Sequence, residues 1–232
     1  MKILSLDSSA VVASVALTED EELLAEYTLN NGNTHSETLL PMVEAALSAL
    51  GLTVADVDLF AASSGPGSFT GVRIGVATLK GLAFGGEKPC VEVSTLEALA
   101  ENLRLCPGLI CPVMNARRSQ VYTALFRSDG ETLQRLMPDC ALALEELDGI
   151  LAAYGEPVRL TGDGYEPAQK GLPSVTLLPV PNRLRHQSAA SVAAVALRQY
   201  REGKSTSDTA MAVHYLRPSQ AERERLEREA KA

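Results

Sequence analysis

Val15-Ala16-Leu17-Thr18-Glu19-Asp20-Glu21-Glu22-Leu23-Leu24 carries the end of one strand, an acidic turn and the start of the next. A fainter copy recurs as Ala124-Leu125-Phe126-Arg127-Ser128-Asp129-Gly130-Glu131-Thr132-Leu133, with the aliphatic triplets, Asp20 with Asp129, and Leu24 with Leu133 aligned at one offset. An internal echo at fixed separation points to duplication, so the chain is expected to fold as two related halves.

Working outward from that hairpin, residues 2–8, 11–17 and 23–29 read as three strands joined by short polar turns, an antiparallel meander. A helix follows Asn31-Gly32-Asn33. Thr34 and Glu37 have the spacing of a capping box, Leu39, Leu40, Val43, Leu47 and Leu50 repeat at helical spacing, and Gly51 ends the run. Pro41 lies inside, so the helix either starts later or kinks there. Residues 58–63 form a buried strand leading into Gly65-Pro66-Gly67-Ser68-Phe69-Thr70-Gly71, and a helix spans 72–84. A short strand at 89–93 precedes a third helix with a second capping box, Ser94 with Glu97, and an apolar face of Leu96, Leu99, Ala100 and Leu103.

The order β-β-β-α-β-α-β-α then begins again near Pro107. Strands are expected at 109–114 and 121–126 around the turn Arg117-Arg118-Ser119, then a helix at 144–154 and strands at 158–160 and 175–178. Ser188 caps a helix bearing Val192, Val195, Ala196 and Tyr200, which is expected to return to the first half. The organisation is a first half at 1–105 completed by 188–217, a smaller half at 106–187, and a charged tail at 218–232. From Ala221 the tail alternates Glu and Arg, either a solvated or frayed helix or a partner-docking one.

Composition bounds the function. Of 232 residues, 46% are hydrophobic, enough for a globular core, but with 4 Phe, 6 Tyr and no Trp that core must be Ala, Val and Leu. The net charge of −8 argues against broad nucleic-acid or anionic-membrane binding. No window approaches a membrane span, and the opening strand does not read as a signal peptide, so a cytoplasmic protein is expected. Cys90, Cys106, Cys111 and Cys140 form no CxxC pair and read as reduced packing residues.

Candidate chemistry is sparse. Asp7-Ser8-Ser9 could wrap a phosphate and orient a metal ion, or could be an ordinary Asx turn. The loop at 65–71, with Gly65, Gly67, Ser68 and Thr70, and Arg73 just beyond it, occupies a strand-to-helix junction where an anion can bind. It is neither a P-loop nor GxGxxG, and tight-turn packing is the equal alternative. In the following helix Ala77, Gly81 and Gly85 recur every four residues, as Gly71 and Gly75 do on another face. Glycine inside a helix costs roughly 1 kcal/mol against alanine, so either internal packing or close approach of another subunit is implied. His35, His186 and His214 make no HxxxH or HExxH pair, and no GxSxG elbow is present, so no metal site or catalytic residue is assigned.

Thr34-His35-Ser36-Glu37-Thr38-Leu39-Leu40-Pro41, the loop GPGSFTGVRIG from Gly65 to Gly75, the Ser94-Thr95-Leu96 helix start and Tyr215-Leu216-Arg217 together resemble the bacterial TsaB (YeaZ) family. The resemblance covers nearly the whole chain to Arg217. It implies an α/β, duplicated actin/Hsp70-like (ASKHA, RNase H-like) fold with two mixed-sheet halves, in keeping with the echo. It also implies a non-catalytic partner of TsaD in making threonylcarbamoyladenosine beside the tRNA anticodon, with the ATPase TsaE joining the pair. TsaD carries a paired-histidine metal site that this chain lacks. No intrinsic cofactor is implied, and ATP or ADP with Mg is expected in the partner subunits or at the complex junction. The partner surface, for TsaD or for a second copy in a homodimer, is carried over to His35, Leu39, Leu40, Val43 and Leu47 of one helix and Val72, Gly75, Val76 and Leu79 of the other. tRNA is reached mainly through the complex.

Two departures stand out. The family commonly has Asp-Ala-Arg where this chain has Asn115-Ala116-Arg117, and Asp-Thr where it has Asp7-Ser8. Losing that Asp removes a possible metal ligand. The competing reading is an enzyme active alone, an ATP-binding transferase using Asp7 and the Gly-rich loop, or a glycoprotease-like peptidase.

Overall fold

The computed structural model describes residues 1–117 and 119–217, and its two halves follow one plan. The first runs β1 (Lys2–Asp7), β2 (Ala13–Glu19), β3 (Glu22–Leu29), α1 (His35–Ala49), β4 (Leu59–Gly65), α2 (Phe69–Ala83), β5 (Cys90–Ser94) and α3 (Thr95–Glu101). The second repeats it as β6 (Gly108–Asn115), β7 (Gln120–Ser128), β8 (Leu133–Ala143), α4 (Leu144–Ala152), β9 (Val158–Thr161), α5 (Tyr165–Gly171), β10 (Leu177–Leu178) and α6 (Ala189–Arg201). The sheet orders are β3-β2-β1-β4-β5 and β8-β7-β6-β9-β10. In each, three antiparallel strands are extended by two parallel ones. This is the duplicated actin/Hsp70-like fold. The echo falls on β2 and β7, the strands that pair antiparallel with β1 and β6, although Leu17 faces α1 and α2 while Phe126 faces α3.

Each sheet buries both faces. Leu39, Val43 and Leu47 of α1 and Val72, Val76 and Leu79 of α2 pack against Leu4, Leu6, Val15, Leu17 and Phe60. Behind them, Val192, Val195 and Ala196 of α6 cover Ile3, Leu59, Val91 and Val93. Meanwhile Leu96 and Leu99 of α3, with Leu103 in the turn after it, pack onto Ile110, Ala124 and Phe126 of the second sheet. The last helix of each half thus lies on the other half's sheet. Leu147, Leu151 and Ala168 close the remaining face over Cys111, Val121 and Leu125. With so few aromatic residues, close contact between aliphatic layers supplies the burial.

Local expectations need several corrections. Thr34 is the N-cap of α1, but its side chain makes no cap bond, and the Glu37 amide goes to the Thr34 carbonyl instead. The helix continues through Pro41, because Leu39, Met42, Val43, Ala46 and Leu47 lock it to the sheet. At α3 the box is half made. Ser94 Oγ accepts from the Glu97 amide at 3.2 Å, while the Glu97 carboxylate turns to Arg135. A carboxylate cap forms where none is expected, on the 3-10 turn Val54–Asp56, where Asp56 Oδ2 accepts from the Thr53 amide at 2.8 Å and the Thr53 hydroxyl at 2.7 Å. The second strand begins at Ala13, which leaves Val11 in the turn at 62% exposure. α5 was not foreseen, and the last strand of the second sheet shrinks to two residues. The charged tail at 218–232 lies outside the described residues.

These caps predict unequal mutational effects. Ser94 also donates to Asp139 at 2.5 Å, so Ser94→Ala should cost about 1–2 kcal/mol, whereas Thr34→Ala should cost no more than a few tenths. Urea denaturation of the two variants checks the ordering.

Candidate functional site

The end of β1 is where most of the sequence-derived candidates meet. Asp7 is 1% exposed, and both its carboxylate oxygens are occupied. Oδ1 accepts from the Ser9 amide at 2.9 Å and the Ser9 hydroxyl at 2.6 Å, and Oδ2 accepts from Ser63 Oγ. Burial pushes the carboxyl above the usual range, against the pull of Ser63 and Ser9 and a smaller one from His35. Ser8 Oγ donates to the Gly71 carbonyl at 2.8 Å, and the Ser68 amide donates to the Ser9 carbonyl at 2.6 Å. Ser68 caps α2 by accepting from the Gly71 amide. His35 donates from Nε2 to the Ala10 carbonyl at 2.7 Å, tying the turn to the start of α1.

This packing explains the glycines. A Cβ at Gly67 would stand 2.4 Å from the Ser9 carbonyl oxygen, and one at Gly71 only 2.1 Å from that of Ser8. At Gly75 it would meet Ser8 Oγ at 2.4 Å, and at Gly65, where φ is +122°, the His214 carbonyl oxygen at 2.4 Å. The space before Gly67 and Gly71 is filled by hydrogen-bond acceptors, a surface that does not suit a phosphate. Thr70 and Arg73 lie outside it, on the exposed part of α2.

The partner-facing assignment of the two helices needs correcting. Leu39, Val43, Leu47, Val72, Val76 and Leu79 are all core residues, and Gly75 is buried against Ser8. Their apolar spacing records the face turned to the sheet. The apolar and small residues that this part of the chain offers to solvent include Leu40 at 45% exposure, Ala77, Gly81 with open space around it, and, just past the end of α2, Phe84 at 78%, among polar residues such as Glu37, Glu44 and Arg73. His35 is only partly exposed.

A cluster that sequence reading missed involves the segment after α6. Lys80 Nζ donates to the carbonyls of Thr209 and Met211, both at 3.0 Å. Glu92 accepts from the Ala212 amide at 2.6 Å and bonds the His214 ring, while the His214 amide reaches the Ser64 carbonyl at 2.8 Å. Next, Arg73 Nε donates to the Tyr215 hydroxyl, and Arg217 crosses to Gln120 and Tyr122 of the second half. Tyr215-Leu216-Arg217 is the only hint in the sequence, because every one of these contacts joins residues far apart along the chain.

In the second half Asn115 ends β6 as Asp7 ends β1. Its Oδ1 accepts from the Arg117 amide at 2.8 Å, the same Asx turn Asp7 makes with Ser9. Burial raises the Cys90 thiol to about 11 and the Cys111 thiol to about 12, so both stay protonated and act as packing groups.

Residues 22–174 match the model of the family described as TsaD, tRNA N6-adenosine threonylcarbamoyltransferase. The tRNA threonylcarbamoyladenosine biosynthesis protein TsaB of Bacillus subtilis is 36% identical over 162 residues, 70% of this chain and 71% of that protein. The TsaB protein of Escherichia coli is 37% identical over 131 residues, 56% of each. Among solved structures, YeaZ from Pseudomonas aeruginosa superposes with a TM-score of 0.79 at 27% identity, covering 93% of this chain and 99% of that one.

Proposed function

We infer the function from one premise: the chain belongs to the TsaB (YeaZ) family of tRNA threonylcarbamoyladenosine biosynthesis proteins. It is a protein of that tRNA-modification pathway. Within the pathway we propose an accessory scaffold, which performs no chemistry itself. It binds the threonylcarbamoyltransferase TsaD through the outer face of α1 and α2 and raises its activity. The observation that carries this reading is that face. Leu40, Ala77, Gly81 and Phe84 put apolar and small residues in solvent, and the open space at Gly81 lets another backbone come close. Asp7 supports it, since the carboxylate is buried and already accepts from the Ser9 amide, the Ser9 hydroxyl and the Ser63 hydroxyl.

On this reading TsaE joins the pair, tRNA is held mainly by the complex, and ATP or ADP with Mg sits in the partners or at their junction. A second copy of the chain covers the same helices when TsaD is absent, an isologous contact. Mixing the purified chain with TsaD should give a heterodimer by light scattering and faster threonylcarbamoyl transfer to tRNA. TsaD that stays monomeric with unchanged activity would overturn the proposal.

A further inference from the structure

We propose that Arg73 is the charged anchor of this docking surface and takes a carboxylate side chain of the protein partner. The inference deepens the TsaD-docking reading and rests on it. Its basis is the way the guanidinium is held. Arg73 lies in the second turn of α2, with Cζ 3.8 Å from the centre of the Phe69 ring and 5.5 Å from that of Tyr215. The two rings stack on each other at 4.5 Å with 27° between their planes. Arg73 Nε donates to the Tyr215 hydroxyl at 2.5 Å.

These contacts use one face of the guanidinium and its inner N–H. The two terminal nitrogens make no hydrogen bond or salt bridge to any described residue. An arginine ordinarily loses much rotamer freedom when it is captured in a complex. Here Phe69 and Tyr215 restrict it in the free chain, so less is lost on binding. What remains is a planar fork of N–H donors, which matches a carboxylate bidentately.

The surrounding charge pattern makes the vacancy informative. The chain holds 29 acidic residues against 21 basic ones. Arg104, Arg127, Arg135, Arg198 and Arg201 pair with acids of the chain itself, and Arg159 and Arg185 donate to backbone carbonyls. Arg73 instead lies against the Phe69–Tyr215 stack, beside Tyr215 at 43% and Leu216 at 38% exposure. Arginine and tyrosine together are the composition of an interface hot spot. An RNA phosphate shares the fork's chemistry, but the net charge of −8 opposes a polyanion, and a single acid on a protein surface does not meet that penalty.

The test measures the affinity of the full chain for purified TsaD by calorimetry at low and at physiological salt, for wild type, Arg73→Met and Arg73→Lys. Arg73→Met should weaken the complex about tenfold or more and flatten its salt dependence. Arg73→Lys should keep the salt dependence without restoring the affinity, because an ammonium lacks the fork and the stack. Thermal midpoints establish that each variant is folded, and should Arg73→Met fail that control, the lysine variant decides. Arg73→Met binding within about twofold of wild type overturns the proposal. So does a loss confined to an anticodon stem–loop RNA with TsaD affinity intact. A wild-type chain that does not bind TsaD at all overturns the docking reading and this contact with it.

Discussion

Gly71→Ala is expected to destabilise the chain by about 3 kcal/mol, the upper range for forcing one carbon into a packed site. The new Cβ would stand 2.1 Å from the Ser8 carbonyl oxygen, 3.2 Å from Ser68 Cβ and 3.3 Å from His35 Cδ2. Those atoms belong to the β1 turn, the cap of α2 and the start of α1, so relief on one side tightens the others. A backbone carbonyl cannot rotate away as a side chain can. At about 2–4 °C per kcal/mol for a chain of this size, the unfolding midpoint should fall by about 6–12 °C. Gly75→Ala should be milder, about 1–2 kcal/mol, because Ser8 Oγ can turn aside if it gives up its bond to the Gly71 carbonyl. Gly81→Leu should behave in the opposite way. Its Cβ meets nothing within 4 Å, and leucine favours the helix by about 0.5–1 kcal/mol, so the midpoint should hold or rise. The same leucine fills the space through which a partner would approach, and TsaD binding should be lost. Scanning calorimetry with a binding assay separates the cases. A stable Gly71→Ala or an unfolded Gly81→Leu would reverse the inner and outer assignment of the two stripes.

That contrast also marks what could be read in the sequence. Gly71 with Gly75, and Ala77 with Gly81 and Gly85, share one spacing, and spacing alone cannot say which stripe faces inward. The answer depends on Ser8, more than sixty positions earlier, whose carbonyl and hydroxyl fill the inner face. Apolar periodicity misleads in a related way. Leu39, Val43, Leu47, Val72, Val76 and Leu79 are conspicuous because they are core, so the docking surface has to be sought among the residues that interrupt the pattern. The duplication was legible because β2 and β7 are both buried on two faces, so each carries an unbroken aliphatic or aromatic run before its turn. Ser94 and Ser188 were legible as caps for a local reason, each bonding an amide three residues on. Thr34 has the same spacing but no such bond, and its helix is held by tertiary packing. The Phe69–Arg73–Tyr215 stack left no local trace at all, since its last member lies 142 residues beyond Arg73.

Asp7→Asn should stabilise the chain at neutral pH, with the gain growing as pH rises. In the unfolded chain Asp7 titrates near its ordinary value of 3.8, while burial raises its folded pKa. The folded state therefore binds the proton more tightly. Its favourable contribution is complete below about 3.8 and is lost as pH climbs through the folded value, leaving a buried carboxylate that water would solvate better. An amide escapes that loss. Its Oδ1 can keep both bonds from Ser9, and Nδ2 can donate to Ser63 Oγ in place of the bond Ser63 now donates. The second half already holds an amide in this role, Asn115 accepting from the Arg117 amide. Asp7→Ala should instead cost about 1–3 kcal/mol, because the Ser9 amide and the Ser63 hydroxyl are left buried without a partner. Urea denaturation from acid to neutral pH distinguishes these outcomes. A gap between wild type and Asp7→Asn that stays constant with pH would mean that the carboxyl titrates alike in the folded and unfolded chain, against the rise that burial imposes. Calorimetry with ATP and magnesium tests the competing enzyme reading at the same residue. Affinity in the isolated wild-type chain that vanishes in Asp7→Asn would mean that the carboxylate takes part in nucleotide or metal binding, and would turn the scaffold back into an enzyme.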